Sequence, residues 1–304
     1  MIYDVIIIGS GPAAYTASIY CMRYLLKTLQ LEGTKDIGGQ LMKTTNIENF
    51  PGFQSISGYE LIERMKSQAE SLGVETIQRE ATKIEKKGSR FIVSTSESKY
   101  VSRSVIISTG SSPRTLNFEG SSEFWQKGIS TCAVCDGSLP IFRNKTIIVI
   151  GGGDSAAEEA LYLSKFASKV YILVRSDRLR MSKLSEKHIK EVKKIKIVYH
   201  TEVVKVSGKI TMTSATIINN ITNKKKKISA AGIFYAIGHV PNSEFVKDFV
   251  DLDEDGYIKA VRHQTNVEGC FAAGDVIDRT YRQAITAAAS GCEASLECIK
   301  YLNF

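Results

Sequence analysis

Cysteine, histidine, proline and long apolar runs are all scarce in this chain of 304 residues. Six cysteines over that length are too few for the disulfide framework of a secreted scaffold. Cys21, Cys270, Cys292 and Cys298 lie far apart in apolar surroundings and are expected to be buried small hydrophobes. The four histidines, His188, His200, His239 and His263, show no ligand spacing, so no metal is expected. No apolar stretch approaches the roughly 20 residues that a membrane helix needs, so no membrane partner is expected. The opening "MIYDVIIIGSGP" lacks a basic leader and a small-residue cleavage site, and its apolar run stops at Gly9. It predicts a first strand rather than a targeting signal, and a cytoplasmic, soluble protein.

What is present is enough apolar residue, 43%, to bury two domains, which the length favours. The net charge is +8, with part of the excess in "NKKKKI" (Asn223 to Ile228) and "KHIKEVKKIK" (Lys187 to Lys196). The first predicts a turn between strands and the second a solvated helix face. Neither is interleaved with the aromatic platform of a nucleic-acid site, so no nucleic acid is expected as partner.

"YDVIIIGSGPAAYTASIY" runs from an apolar strand through Gly9, Gly11, Pro12, Ala13 and Ala14 into a helical pattern. Glycines at such a turn let the backbone approach a pyrophosphate, whose charge meets the positive end of the following helix. A second strand, "LKTLQLEG", ends at Glu32, 23 positions after Gly9, where a carboxylate can accept from a ribose diol. The same grammar returns in "NKTIIVIGGGDSAAEEALYL", with Gly151, Gly153, Asp154 and Ser155 opening the helix, so two nucleotides are implied. After its second strand the chain carries Arg175, 24 positions beyond Gly151, and then Arg180, where the first unit carries an acid. Cations there suit the 2′-phosphate of NADP(H). The Ser176 hydroxyl between them can donate one neutral hydrogen bond to that phosphate.

Past the second unit, "ISAAGIFYAIGHVPN" and "GCFAAGDV" add strands, the latter ending at Gly274 and Asp275, without a third domain. The fold class expected is therefore α/β: two Rossmann-like nucleotide-binding domains, the second (113–241) inserted into the first (1–112 and 242–304). "TGSSP" (Thr109 to Pro113) and "IGHVPN" (Ile237 to Asn242) would be the linkers, each joining Gly to Pro.

"STCAVCDG" (Ser130 to Gly137) holds Cys132 and Cys135 three apart with Asp136 attached. A structural zinc site needs a second pair at suitable spacing, which is missing, and so short a loop constrains the unfolded chain little. Redox exchange remains. One thiolate of such a pair attacks an external disulfide and its partner resolves the mixed intermediate, while an adjacent carboxylic acid can move the proton left over. A nicotinamide delivers hydride but a disulfide exchanges through sulfur, and a flavin converts one into the other. The first unit is thus expected to hold FAD and the second NADPH.

At this point the chain resembles the low-molecular-weight thioredoxin reductases. "GSGPAAYTA", "GGQL", "NIENFPGF", "STG", "CAVCDG", "GGGDSAAEEALYL", "YAIGHVPN", "CFAAGDV" and "YRQAITAAASG" occur in that family's order over essentially the whole length. The resemblance implies a homodimeric flavoenzyme that reduces thioredoxin, with Gln40 and Asn49 near the flavin and Thr109 and Gly110 of "STG" among the cofactor-binding residues. It implies that Asp275 meets the ribityl chain and that Arg282, Gln283 and Ala284 meet the ring. It implies too that Cys135 lies nearer the flavin, that Cys132 attacks thioredoxin, and that Asp136 is the acid/base group. The family commonly shows His-Arg-Arg where this chain has Val174, Arg175 and Ser176, a thinner phosphate site. Two readings compete: a related flavoprotein serving another protein disulfide or oxygen, and a non-catalytic nucleotide sensor.

Overall fold

The computed structural model describes residues 1–34, 37–44 and 46–303. The chain divides into two compact units, Met1–Ser112 with Val240–Phe304, and Pro113–His239. The second crossing falls inside the expected "IGHVPN" linker, two residues before the expected boundary after residue 241.

In the first unit β1 (Ile2–Ile8) leads into α1 (Pro12–Arg23), and β2 (Thr28–Leu31) pairs parallel to β1. A short 3-10 turn (Gly39–Lys43) precedes α2 (Gly58–Ser71), which starts where Ser57 Oγ accepts the Glu60 N–H at 3.1 Å. That capping hydroxyl satisfies one of the amides a helix start leaves open. Strands β3 (Glu75–Ile77), β4 (Lys83–Lys87), β5 (Arg90–Ser94) and β6 (Lys99–Ile107) follow. The sheet order is β3-β2-β1-β6-β5-β4. Its parallel centre is buried on both faces, which is why β1 reads as a continuous apolar run rather than an alternation. Val5 and Ile7 join the core on one face, Ile6 and Ile8 the core on the other.

The second unit begins in β7 (Ser111–Pro113) and β8 (Ile129–Ser130), followed by the one-turn helix α3 (Ala133–Asp136). Next come β9 (Thr146–Ile150), α4 (Asp154–Leu163), β10 (Lys169–Leu173), α5 (Lys183–Glu191) and β11 (Ile195–Val198). An antiparallel meander, β12 (Thr201–Gly208), β13 (Met212–Asn219) and β14 (Lys225–Ser229), precedes β15 (Gly232–Tyr235). The parallel sheet is ordered β11-β10-β9-β15-β8. Ile147, Val149 and Phe234 pack with residues of α4 on one face; Ile148, Ile150 and Ile233 pack with Val206, Met212 and Ala215 of the meander on the other.

Two expectations about the lysines need correction. Lys225 to Ile228 lie in β14, not in a turn; the turn precedes them, organised by Asn219 Oδ1, which accepts from the N–H groups of Ile221 and Thr222. Pairing with β13 overrides the low strand propensity of lysine. The helical face of the second lysine stretch ends at Glu191, and Lys196 belongs to β11.

The chain returns through β16 (His239–Pro241), which pairs with β7 so that the two crossings form a two-stranded ribbon. Beside it Thr109 Oγ1 donates to the Asn242 carbonyl and Asn242 Nδ2 to the Thr109 carbonyl, at 2.7 and 2.8 Å. β17 (Cys270–Ala272) then joins the first sheet against Val105–Ile107 of β6, and α6 (Ala284–Tyr301) lies along α1. Cys21, Cys270 and Cys298 are buried as expected, but Cys292 on α6 is half-buried. No helix among the described residues is long and apolar enough to cross a membrane.

Candidate active site

The first glycine turn is held by a close approach of backbone. Gly9 has φ +135°, and a Cβ there would lie 2.2 Å from the Ser108 carbonyl oxygen, so only glycine fits. Around Gly11, by contrast, a Cβ would meet nothing within 4 Å. Helix α1 starts there with Pro12 in its first turn, no side-chain cap and no acidic residue. No side chain of the helix start therefore compensates the partial positive charge of its first amides, as a pyrophosphate site requires. Glu32 directly follows β2 and is buried, accepting from Tyr15 Oη at 2.8 Å and Lys66 Nζ at 3.0 Å. Ionised carboxylate oxygens have lone pairs beyond those two bonds.

The residues expected around a flavin come together from distant parts of the chain. Asn49 Nδ2 donates to Gln283 Oε1 at 3.2 Å across 234 positions. Gln283 is also the N-cap of α6, in a reciprocal capping arrangement with Thr286, and Ala284 is the first helical residue. Arg282, at φ +46°, donates through its guanidinium to the Arg279 carbonyl. Gln40 Nε2 reaches the Ser111 carbonyl at 3.4 Å, and the Ser111 hydroxyl is buried with no hydrogen-bond partner among the described residues. Gly274 and Asp275 follow β17, the Gly274 amide donating to Ser290 Oγ at 2.8 Å. None of the hydrogen bonds among the described residues ends on the Asp275 carboxylate, and burial pushes its pKa up to about 7, with Asp278 adding to the shift and Arg282 opposing it. The buried Ser111 hydroxyl costs free energy unless something else supplies its bond, and the half-buried Asp275 carboxylate keeps its lone pairs for a donor from outside. The residues present therefore fit a hydroxyl-rich nucleotide such as FAD. Thr109 and Gly110 are tied to the returning chain: Thr109 exchanges hydrogen bonds with Asn242, and the Gly110 carbonyl accepts the Asn242 N–H at 2.9 Å.

In the second unit Gly151, at φ +150°, approaches the Ala236 carbonyl in the same way, and Gly153 opens on empty space before α4. Asp154 Oδ1 accepts from the Ser182 N–H at 3.0 Å and Ser185 Oγ at 2.6 Å, and these bonds lower its pKa. Ser155 is exposed on the first turn of α4. The backbone N–H groups of Arg180 and Met181 both donate to the Gly152 carbonyl, at 2.7 and 3.1 Å, which pins Arg180 to the glycine turn. Arg175 is exposed just beyond β10. The Ser176 hydroxyl donates to the Arg178 carbonyl at 3.0 Å, closing a turn. Arg178, also exposed in this loop, is a third cation that residue spacing alone did not single out.

Cys132 and Cys135 are joined as a disulfide, with S–S 2.05 Å and Cα–Cα 5.3 Å. Cys132 caps α3, its Sγ accepting the Cys135 N–H at 3.1 Å. Both are half-buried, so accessibility does not distinguish their roles. Asp136, the last residue of α3, is buried; burial raises its pKa and a 2.5 Å hydrogen bond from Ser130 opposes the rise. Ser111, Tyr15 and Lys66 were not visible as site residues in the sequence, because no motif or spacing links them to their partners, and Ser130 opens the cysteine motif without its role being apparent from it. Among the described residues no group of His, Cys, Asp and Glu side chains is placed to hold a metal ion.

Residues 3–291 match the pyridine nucleotide-disulphide oxidoreductase family. The thioredoxin reductase of Dictyostelium discoideum is 46% identical over 312 residues, covering 99% of this chain and 98% of the relative. Thioredoxin reductase 1 of Saccharomyces cerevisiae is 46% identical over 311 residues, covering 98% of each. The solved structure of thioredoxin reductase from Giardia duodenalis superposes with a TM-score of 0.94 at 37% identity, covering 100% of this chain and 99% of that one.

Proposed function

We infer that this chain, which belongs to the pyridine nucleotide-disulphide oxidoreductase family and within it to the low-molecular-weight thioredoxin reductases, catalyses NADPH-dependent reduction of the disulfide of thioredoxin. The observation that carries this reading is the Cys132–Cys135 disulfide closed over one helical turn with buried Asp136 as the next residue.

In the first unit the turn from Gly9 to Ala14 would hold the pyrophosphate of FAD and Glu32 its ribose. Asp275 would accept from the ribityl hydroxyls, and Gln40, Asn49, Arg282, Gln283 and Ala284 would border the ring. In the second, Gly151, Gly153 and the start of α4 at Asp154 and Ser155 would hold NADPH, with Arg175 and Arg180 on its 2′-phosphate. Bound FAD supplies the conversion of a hydride into two electrons that a disulfide can accept.

The protein's own part is the exchange. The Cys132 thiolate attacks one sulfur of the thioredoxin disulfide, forming a mixed disulfide, and the departing sulfur takes the proton of Asp136. Asp136, now ionised, takes the proton of the Cys135 thiol. That thiolate attacks Cys132 Sγ, restoring the internal disulfide and releasing the second thioredoxin sulfur, which is protonated from solvent. A homodimer and a cytoplasmic location accord with the family resemblance. The test is NADPH consumption with oxidised thioredoxin present: turnover is expected in wild type and none in Cys135→Ser, whereas NADPH consumption that leaves thioredoxin oxidised would overturn the assignment.

A further inference from the structure

Ser130 ends β8, where parallel pairing with β15 sets it opposite Phe234. It is only 3% exposed, and its hydroxyl is used in both directions: it donates to Asp136 Oδ2 at 2.5 Å and accepts the Cys132 N–H at 3.1 Å. We propose that Ser130 is a positioning residue for the dithiol chemistry, holding the Asp136 carboxylate in place and tying it to the backbone of Cys132.

The proposal rests on the acid/base role given to Asp136 above. In that role Asp136 alternates between giving a proton to the departing thioredoxin sulfur and taking one from Cys135, so its proton affinity must stay within reach of both thiols. Burial favours the protonated acid, and the donated hydrogen bond from Ser130 favours the carboxylate. With the disulfide closed, no charged side chain among the described residues moderates this balance. The ionisable groups of α4, which packs on α3, are Asp154, Glu158, Glu159 and Tyr162, and none of them shifts Asp136; β8 has no ionisable group and β15 only Tyr235. Without the serine, Asp136 Oδ2 would lose the side-chain donor that the described residues give it. The Cys132 N–H bond adds geometry, because the oxygen that orients the acid also fixes the start of the turn carrying the attacking sulfur.

The experiment is the pH dependence of reoxidation of the reduced FAD-loaded enzyme by thioredoxin, in wild type, Ser130→Ala, Ser130→Thr and Asp136→Asn. A limb belonging to Asp136 is expected in wild type and absent from Asp136→Asn. In Ser130→Ala it should move to higher pH, because loss of a donor to the ionised form raises proton affinity, and the rate at a fixed pH on that limb should change by roughly tenfold or more. Ser130→Thr, which keeps a hydroxyl, should restore the wild-type position. If Ser130→Ala fails to fold, Ser130→Cys keeps the volume with a much weaker donor and carries the same expectation. A limb that disappears in Asp136→Asn but stays unmoved in Ser130→Ala overturns the role of Ser130 alone. A limb that persists in Asp136→Asn removes Asp136 from the chemistry and overturns both.

Discussion

Replacing Arg180 by Gln should lower the preference for NADPH over NADH. The backbone N–H of residue 180 holds the loop to the Gly152 carbonyl at 2.7 Å, and any residue but proline keeps that bond, so the substitution removes the guanidinium and leaves its anchor. The Ser176 hydroxyl cannot compensate while it donates to the Arg178 carbonyl. A charge-assisted hydrogen bond contributes about 1.5–3 kcal/mol, which corresponds to roughly 10- to 150-fold in affinity. Arg180 is exposed and solvent screens it, so the lower end of that range is expected. The assay is kcat/KM for both cofactors with thioredoxin as acceptor, at low and high salt. NADPH should lose roughly tenfold or more, mainly through KM, NADH should change little, and the loss should shrink as salt rises. An equal loss with both cofactors would refute the reasoning, since Arg180 would then act on something that NADPH and NADH share.

Gly9→Ala would place a Cβ 2.2 Å from the Ser108 carbonyl oxygen at φ +135°, so a loss of more than about 3 kcal/mol is expected in denaturant unfolding, together with loss of bound FAD; wild-type stability and FAD content would contradict the close approach described here. In FAD-free protein the folded state raises the Asp275 pKa from the ordinary 3.8 to about 7, so the folded form binds more protons than the unfolded chain between those values and stability falls as pH rises through that window. Asp275→Asn should flatten the fall, raising stability above pH 7 by at most on the order of 4 kcal/mol; identical pH slopes in thermal melts of the two proteins would remove the buried carboxylate as their cause.

The parts legible in the sequence are those whose chemistry is local. A strand, a glycine turn and a helix start are contiguous at Gly9 and again at Gly151, so backbone geometry and residue type coincide in one short stretch. Cys132, Cys135 and Asp136 occupy a single turn for the same reason. What was illegible depends on pairing at a distance. The lysines of "NKKKKI" entered a strand because β13 offered an edge, and Ser176 closed a turn through the Arg178 carbonyl, which any residue could have supplied. Tyr15 and Lys66 reach Glu32 from 17 and 34 positions away, and Ser130 reaches Asp136 only because β8 and the following turn fold it back. Neither arrangement leaves a spacing that a single sequence displays.

The central claim is that electrons pass from NADPH through the flavin to Cys132 and Cys135 and on to thioredoxin. Anaerobic addition of NADPH to the FAD-loaded enzyme, followed by oxidised thioredoxin, tests it directly in wild type and Cys132→Ser. The flavin absorbance should bleach in both and return on adding thioredoxin only in wild type; recovery in Cys132→Ser at the wild-type rate would contradict the account.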